Sequence, residues 1–437
     1  MFYSAEKRKA YLDDLKKNST PIKEHPFEYD GNPRHKGKVF KIRLDHLIFN
    51  QFNARIADEL KTYQASALGE DHEYNEALED KIKDILWSQG GKNKETEADL
   101  KKKGQLEPGV VTADGVIVSG NRRAMLLSRL NQEYFEGVIL DEAYDGNKTM
   151  IVRLEASLQH RVVGSQEYGA TAKQFAVYTM KEDHKLEWSE IAEDMNETIP
   201  KVKQYYDEMK TMLEYLKIIG TPHVYTNLRI QGNKGTKEET FRETNKHYNK
   251  MIGDKASLKL DWGYTEEDAD KYKEIMYDYI RAYNLGAPAL YRRIGPGTIK
   301  QKGILSNQAM FNDFYEEHKK ITDPVTEKLE SFEEYADQLE NDGLDPKQIA
   351  DKRESKWIKD VGEGLLKNYQ KYVERIDALH REVEPEDKIN KALSNLEGIS
   401  SDDLLAIKES PNLENVLTQL NSIQYHVNGF LEKVNKD

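Results

Sequence analysis

The 437-residue sequence predicts an α+β domain on the N-terminal side and a mostly all-α chain after it. Three observations predict this. Period-two alternation and a hairpin signal are confined to the stretch before Glu155. Beyond it, apolar residues recur at spacings of three and four. Charged residues make up 33% of the chain and mean hydropathy is strongly negative, which suits helices with wide solvated faces.

Residues 1–37 are polar, and Pro21, Pro26 and Pro33 interrupt any long element. They read as a short helix over 5–16 followed by an irregular N-terminal arm. From Lys38 the run Val39-Phe40-Lys41-Ile42-Arg43-Leu44 alternates as a strand. Leu78, Ile82, Ile85 and Leu86 predict a one-faced helix over 74–87, and a second helix, capped by Thr96, should stop at Gly104. Two short strands follow at 109–112 and 116–119, joined at Asp114-Gly115, a pair that favours hairpin turns. Gly120 breaks the second strand, and 121–130 reads as a helix that buries Met125, Leu126, Leu127 and Leu130. Strand-like runs at 137–140 and 150–154 complete a domain over 38–154.

Short amphipathic helices occupy 155–220, and long ones occupy 221–437. Over 355–384, Ile358, Val361, Leu365, Tyr369, Tyr372, Ile376, Leu379 and Val383 form a stripe of about four heptads that Pro385 should end. That stripe reads as helix-bundle core rather than a free coiled coil. Between 322 and 345, nine acids face one lysine, so this segment reads as a solvated face or linker.

Composition excludes several classes. No apolar run of about 18 residues is present, so no membrane span is expected. The N-terminus lacks a signal-peptide pattern, and zero cysteines rule out disulfides and thiolate-held metals, so a cytoplasmic location is expected. The net charge of −13 opposes coating of nucleic acid and leaves room only for a local DNA-reading patch. His160, His184, His223 and His247 have no partner at metal-ligand spacing. Gly232-Asn233-Lys234-Gly235 and Gly295-Pro296-Gly297 lack the strand-to-helix context of a phosphate loop.

One turn carries chemistry. Gly120 stands where a strand hands over to a helix, with Asn121, Arg122 and Arg123 in the first helical turn. Unpaired N–H groups and the helix dipole make such a turn an anion site, and a residue without Cβ lets a ligand approach the backbone. Two arginines oppose the dipole there unless a polyanion sits between them and the amides. The other reading is that both pair with surface carboxylates.

The stretch Gly104-Gln105-Leu106-Glu107-Pro108-Gly109-Val110-Val111, then Asp114-Gly115-Val116-Ile117-Val118-Ser119-Gly120-Asn121-Arg122-Arg123-Ala124, resembles the ParB N-terminal domain of the ParB/sulfiredoxin superfamily. The upstream Asn53-Ala54-Arg55 is similar to that family's first box, and Glu155-Ala156-Ser157-Leu158-Gln159-His160-Arg161 to its third. The resemblance covers about 38–215 and implies a ParB/sulfiredoxin-like fold. It also implies CTP or ATP with Mg2+ at the turn, with nucleotide contacts from Asn53, Arg55, Gln105, Ser119, Gly120, Asn121, Arg122, Arg123 and Ser157. Glu155 and Gln159 would be the catalytic candidates, with Glu155 near the metal. Two departures stand out: the third box lacks its Glu-Asn pair, and a helical insertion over about 57–100 separates the first box from Gly104. Turnover by a CTPase, ATPase, nuclease or phosphotransferase is therefore an open alternative, as is a nucleotide-free scaffold.

A helix-turn-helix is expected at 187–209. Ala192 allows close helix crossing, Asn196 tolerates a left-handed turn, Val202 fills the core, and Thr198 can cap the second helix. If it reads DNA, Ser189, Lys201, Lys203, Gln204 and Tyr205 would face the duplex; otherwise Tyr205 is core. Expected partners are DNA, a second copy of the chain, and a protein bound by the C-terminal helical half.

Overall fold

The computed structural model describes residues 3–29, 32–53, 56–67, 74–88, 93–144, 148–161, 171–228, 237–252, 256–283, 290–298, 301–339, 344–408 and 410–435. The first helix, α1 (Ala5–Asn18), buries Leu12, and its Arg8 Nε donates to the Asp114 carbonyl oxygen at 2.8 Å. It is thus clamped onto the sheet. The irregular arm expected after it is instead a hairpin, β1 (Lys23–Tyr29) and β2 (Asn32–Arg43), paired antiparallel. Its prolines are tolerated because β1 is an edge strand, and β2 pairs with a second neighbour only from Val39 onward.

After β3 (Ile48–Phe49) come the insertion helices α2 (Ala57–Ala67), α3 (Glu76–Ser88) and α4 (Asn93–Lys103). Leu78, Ile82, Ile85 and Leu86 are buried on α3 as their spacing predicted. The second helix starts at Asn93, three residues before the expected cap at Thr96. The Asn93 side chain donates to the Leu86 and Trp87 carbonyls and so ties the two helices end to end. The strands β4 (Gly109–Val111) and β5 (Val116–Ser119) form the expected hairpin, with Gly115 at φ +85°. Then follow α5 (Asn121–Arg129), β6 (Tyr134–Ile139) and α6 (Lys148–Arg161).

The six strands lie in the order β1-β2-β6-β4-β5-β3; β4 runs parallel to β6 and β3 parallel to β5. Alternation along the strands divides the core. Val111, Ile117 and Ile139 pack with Ile82, Leu100 and Leu126 of α3, α4 and α5. Val110, Val116, Val118 and Val138 meet Ile151 and Leu154 of α6 on the other face. The strand expected at 150–154 is therefore helical: Ile151 and Leu154, three apart, share the helix face laid on the sheet. The boundary expected at 154 falls inside this one helix, whose Ala156 already belongs to the next core.

The rest is helical: α7 (Ala172–Glu182), α8 (Trp188–Asp194), α9 (Ile199–Ile218), α10 (Lys237–Met251), α11 (Glu266–Arg281), α12 (Leu290–Ile294), α13 (Gln308–Thr326), α14 (Phe332–Gln338), α15 (Pro346–Glu397), α16 (Ser401–Lys408) and α17 (Leu413–Val434). Met209, Met212 and Tyr215 of α9 share a core with Phe241 and Tyr277, so packing continues across the expected boundary at 220. The α15 stripe, Trp357, Val361, Leu365, Tyr369, Tyr372 and Ile376, packs on Tyr272, Tyr279, Phe311 and Phe314 as bundle core. The helix continues past Pro385 to Glu397. The acidic stretch 322–345 is not only a solvated linker, since it holds the end of α13 and all of α14, with Thr322 and Phe332 buried. Among the described residues no helix is long and apolar enough to cross a membrane.

Gly109 lies in β4 against Phe135 of β6. A Cβ there would stand 2.2 Å from the ring and 2.5 Å from the Ser119 carbonyl. Gly109→Ala is expected to lower the first urea-unfolding transition by about 1–3 kcal/mol through this overpacking; an unchanged transition would show that the sheet can shift to make room.

Candidate functional site

Two parallel strands define the site. Because β3 and β5 run the same way, with Ile48 opposite Val116 and Phe49 opposite Ile117, their C-terminal ends emerge together. Ligands in open α/β sheets favour that edge. Asn50 follows β3, and Gly120 follows Ser119, the last residue of β5.

Gly120 adopts φ +102°, and a Cβ there would come within 2.9 Å of the Phe135 ring. Both the backbone angle and the space call for glycine. Asn121 opens α5 and is buried, its Nδ2 donating to the Ile117 carbonyl at 2.8 Å. Its Oδ1 accepts the Asn50 backbone N–H at 3.0 Å. The Asn50 side chain in turn donates to Glu155 Oε2 at 2.7 Å. The turn after β3, the glycine turn and α6 thereby meet in one buried polar network. Glu155 is 4% exposed, so each bond to its carboxylate offsets a large desolvation cost.

Both arginines donate to neutral oxygens. Arg122 Nε donates to Asn93 Oδ1 at 2.5 Å, and its Nη2 lies 3.5 Å from Thr96 Oγ1, both on insertion helix α4. Arg123 donates to the Glu107 carbonyl. Burial draws the Arg123 guanidinium pKa down, with the Glu107 carboxylate opposing.

The other expected site residues are scattered. Asn53 is buried in the turn after β3, where its carbonyl accepts from Ile56. Ser119 is half-buried beside Gly120. Gln105 is committed elsewhere, because its amide both donates to and accepts from the Glu136 backbone and fastens the loop before β4 to β6. Ser157 is buried on α6, but two residues along a helix is about 200° of rotation, so it faces away from Glu155. Arg55 and the Gln159 side chain lie outside the described residues.

A cavity of about 240 Å³ opens beside Glu155, between the turn after β3 and helices α2, α6 and α7. Phe52 and Tyr144 stack in its wall with centroids 5.5 Å apart, and Lys61, Lys148, Asp183 and His184 line it. Burial lowers the Lys61 pKa while Asp183 raises it. Burial also lowers that of His184, opposed by Asp183 and reinforced by Lys148. Sequence spacing set His184 aside as a metal ligand, and its place in the cavity wall depends on helices distant in sequence. Among the described residues no cluster of three or more His, Cys, Asp or Glu could hold a metal ion. Glu155 is thus one carboxylate that could complement a phosphate-borne Mg2+, not a protein cage for it.

The helix pair α8–α9 turns at Asn196, φ +50°, with the Glu197 N–H bonded to the Ala192 carbonyl at 2.9 Å. Val202 and Ala192 are buried between the helices. Thr198 stands at the α9 cap position in extended backbone with no side-chain cap bond. Arg153 of α6 pairs with both Glu190 and Asp194, offsetting two of the acids on α8. Tyr205 is core, 6% exposed, and cannot reach a groove. Gln204 is bonded to buried Glu208 at 2.6 Å. Lys201, half-buried, stacks over Tyr205, whereas Ser189 and Lys203 are exposed. Lys181 and Lys203 both approach the Trp188 ring, and exposed Lys210 lies over Tyr206. Periodicity singled out Lys203 but passed over Lys181 and Lys210, which reach this surface from other turns.

No family model matches the sequence, and no curated protein matches it. Among solved structures, a C-terminally truncated chromosome-partitioning protein ParB from Caulobacter crescentus, complexed with CTP-γ-S, is similar at 13% identity and a TM-score of 0.17, covering 51% of this chain and 97% of that one. A Pnob8-like ParB-N domain is similar at 13% identity and a TM-score of 0.24, covering 64% and 96%. Values this low leave the site to be read from its own geometry.

Asn50 is the test of the network. Asn50→Ala removes a donor from buried Glu155 and is expected to cost about 1–3 kcal/mol. Asn50→Asp sets two carboxyls in contact, so one takes a folded-state pKa above its unfolded value of about 4. Its stabilising contribution is intact below that value and is lost as pH rises through the raised pKa. Unfolding midpoints should therefore show Asn50→Asp more destabilised at pH 8 than at pH 5; equal losses at both would place the two groups apart.

Proposed function

We propose that the chain is a ParB-like protein that binds a nucleoside triphosphate, CTP or ATP with Mg2+, at the Gly120 turn and uses it as a DNA-binding switch. The observation that carries this is the Asn50–Asn121–Glu155 network at the strand ends, next to a helix start bearing two arginines. The triphosphate would lie on the first amides of α5, and the nearby cavity, with its stacked Phe52 and Tyr144, suits an aromatic base. Magnesium would supply charge neutralisation of the phosphates, with Glu155 the carboxylate nearest to it.

The switch follows from what the arginines now hold. A phosphate offers Arg122 a charge-assisted bond in place of the neutral Asn93 oxygen. Asn93 also closes the α3–α4 joint, so release of Arg122 would loosen the insertion. α8–α9 would meet DNA through Lys203 and Lys210, with Lys181 of α7 beside them, rather than through Tyr205. A scaffold without nucleotide is the second reading, favoured by the same Arg122–Asn93 bond, which satisfies the arginine without a ligand.

Calorimetric titration with CTP and ATP, each with Mg2+, tests this. Wild type should bind at least one, and Arg123→Ala should weaken it by tenfold or more, about 1.4 kcal/mol. Absence of binding of both nucleotides to the wild type removes the proposal and leaves the scaffold.

A further inference from the structure

Insertion helix α2 places one lysine where no other group of the chain answers it. Lys61 is half-buried in the wall of the cavity beside Glu155, its ammonium 5.5 Å from the centre of the Phe175 ring. Among the described residues it forms no hydrogen bond and no ion pair, and the exposed Asp183 acts on it only through space. Lys81, Lys83, Lys273 and Lys319 are also half-buried, and each of them meets a carboxylate. Desolvating an ammonium costs free energy that such partners offset, and attraction to a ring recovers only part of it. An unanswered cation in a cavity wall points to an acceptor that arrives with a ligand.

The walls select what that acceptor belongs to. Phe52, Tyr144 and Phe175 are aromatic, and Val152 and Met180 extend the apolar lining. The formal charges of Glu155 and Asp183 balance those of Lys61 and Lys148, so the cavity has no net positive charge to draw in a phosphate and suits a neutral heterocycle. Every nucleobase presents carbonyl or ring-nitrogen acceptors at its edge, and an ammonium has three N–H groups to offer them. The next residue of α2 points elsewhere. Thr62, about 100° further round the helix, accepts the Thr226 N–H at 3.2 Å in the turn Tyr225–Leu228. Ala57, one turn before Lys61, shares a core with Met209, Phe241 and Tyr277. We propose that Lys61 reads the acceptor edge of the base, and that α2 passes occupancy of the cavity to the Tyr225–Leu228 turn. This rests on the nucleotide reading above and adds to it a residue of the insertion, which departs from the ParB pattern.

Lys61→Met keeps an unbranched side chain and removes its charge and its donors. Titration calorimetry of the full chain with CTP and ATP, each with Mg2+, should show the variant weaker by about tenfold or more for the nucleotide that wild type binds. Inorganic tripolyphosphate with Mg2+, which lacks the base, should not distinguish the two proteins. Without ligand the variant should unfold at the wild-type temperature or above it, because the cation it loses has no partner. A lower midpoint would make Lys61 a residue of the fold and count against the proposal. Hydrogen exchange followed by mass spectrometry should show the peptide that carries Thr226 slowed by saturating nucleotide in wild type, but neither by tripolyphosphate nor in Lys61→Met. A wild type that binds neither nucleotide removes the underlying reading and this one with it. If wild type binds, three results overturn this proposal alone: equal nucleotide affinity of Lys61→Met, an equal loss for tripolyphosphate, or exchange at Thr226 that nucleotide leaves unchanged.

Discussion

Everything at the N-terminal end is arranged around one ring. Phe135 lies where a Cβ on Gly109, Gly120 or Gly137 would stand 2.2, 2.9 or 3.1 Å from it. Three backbones approach the ring because three residues lack side chains, and the ring fills the space they leave. The consequence reaches the site directly. Gly120, held at positive φ against Phe135, aims the start of α5 at the ends of β3 and β5. The turn is thus a property of the sheet core, not of a free loop, which is how a binding turn keeps its amides in position.

Around that fixed turn, polar groups are committed to different degrees. Asn50, Asn121 and Glu155 are locked in a buried network whose members have few alternatives. Arg122 and Arg123 rest on an amide and a carbonyl oxygen, partners that a phosphate outbids. Rigid carboxamides beside arginines that donate to neutral oxygens suit the change of state proposed for the site. The insertion helices link the site to the C-terminal helices: α3 reaches the start of α15 through Lys81–Asp345, and Thr62 of α2 accepts from the Thr226 N–H.

What could be read from the sequence divides along the range of the interactions. The Asp114-Gly115 hairpin, the Gly120 turn, α3 and the Ala192–Asn196–Val202 spacing depend on neighbours within a few residues, and local chemistry reveals them. Asn50 could not be read because its role comes from parallel pairing of β3 with β5, across an insertion of three helices. The β1–β2 hairpin was hidden by prolines that are harmless only on an edge. At 150–154 a β-branched run resembled a strand, and packing on the sheet made it a helix. Tyr205 shows a further limit: periodicity finds the face but not whether it meets a core or a groove.

The two ends of the molecule solve the problem of apolar surface in opposite ways. The N-terminal sheet covers both faces with helices of the same chain. The C-terminal segment leaves apolar side chains of α17 open to water, a state that costs free energy for every exposed leucine and valine. Acidic character elsewhere keeps the body solvated, and this segment is where that protection is withdrawn.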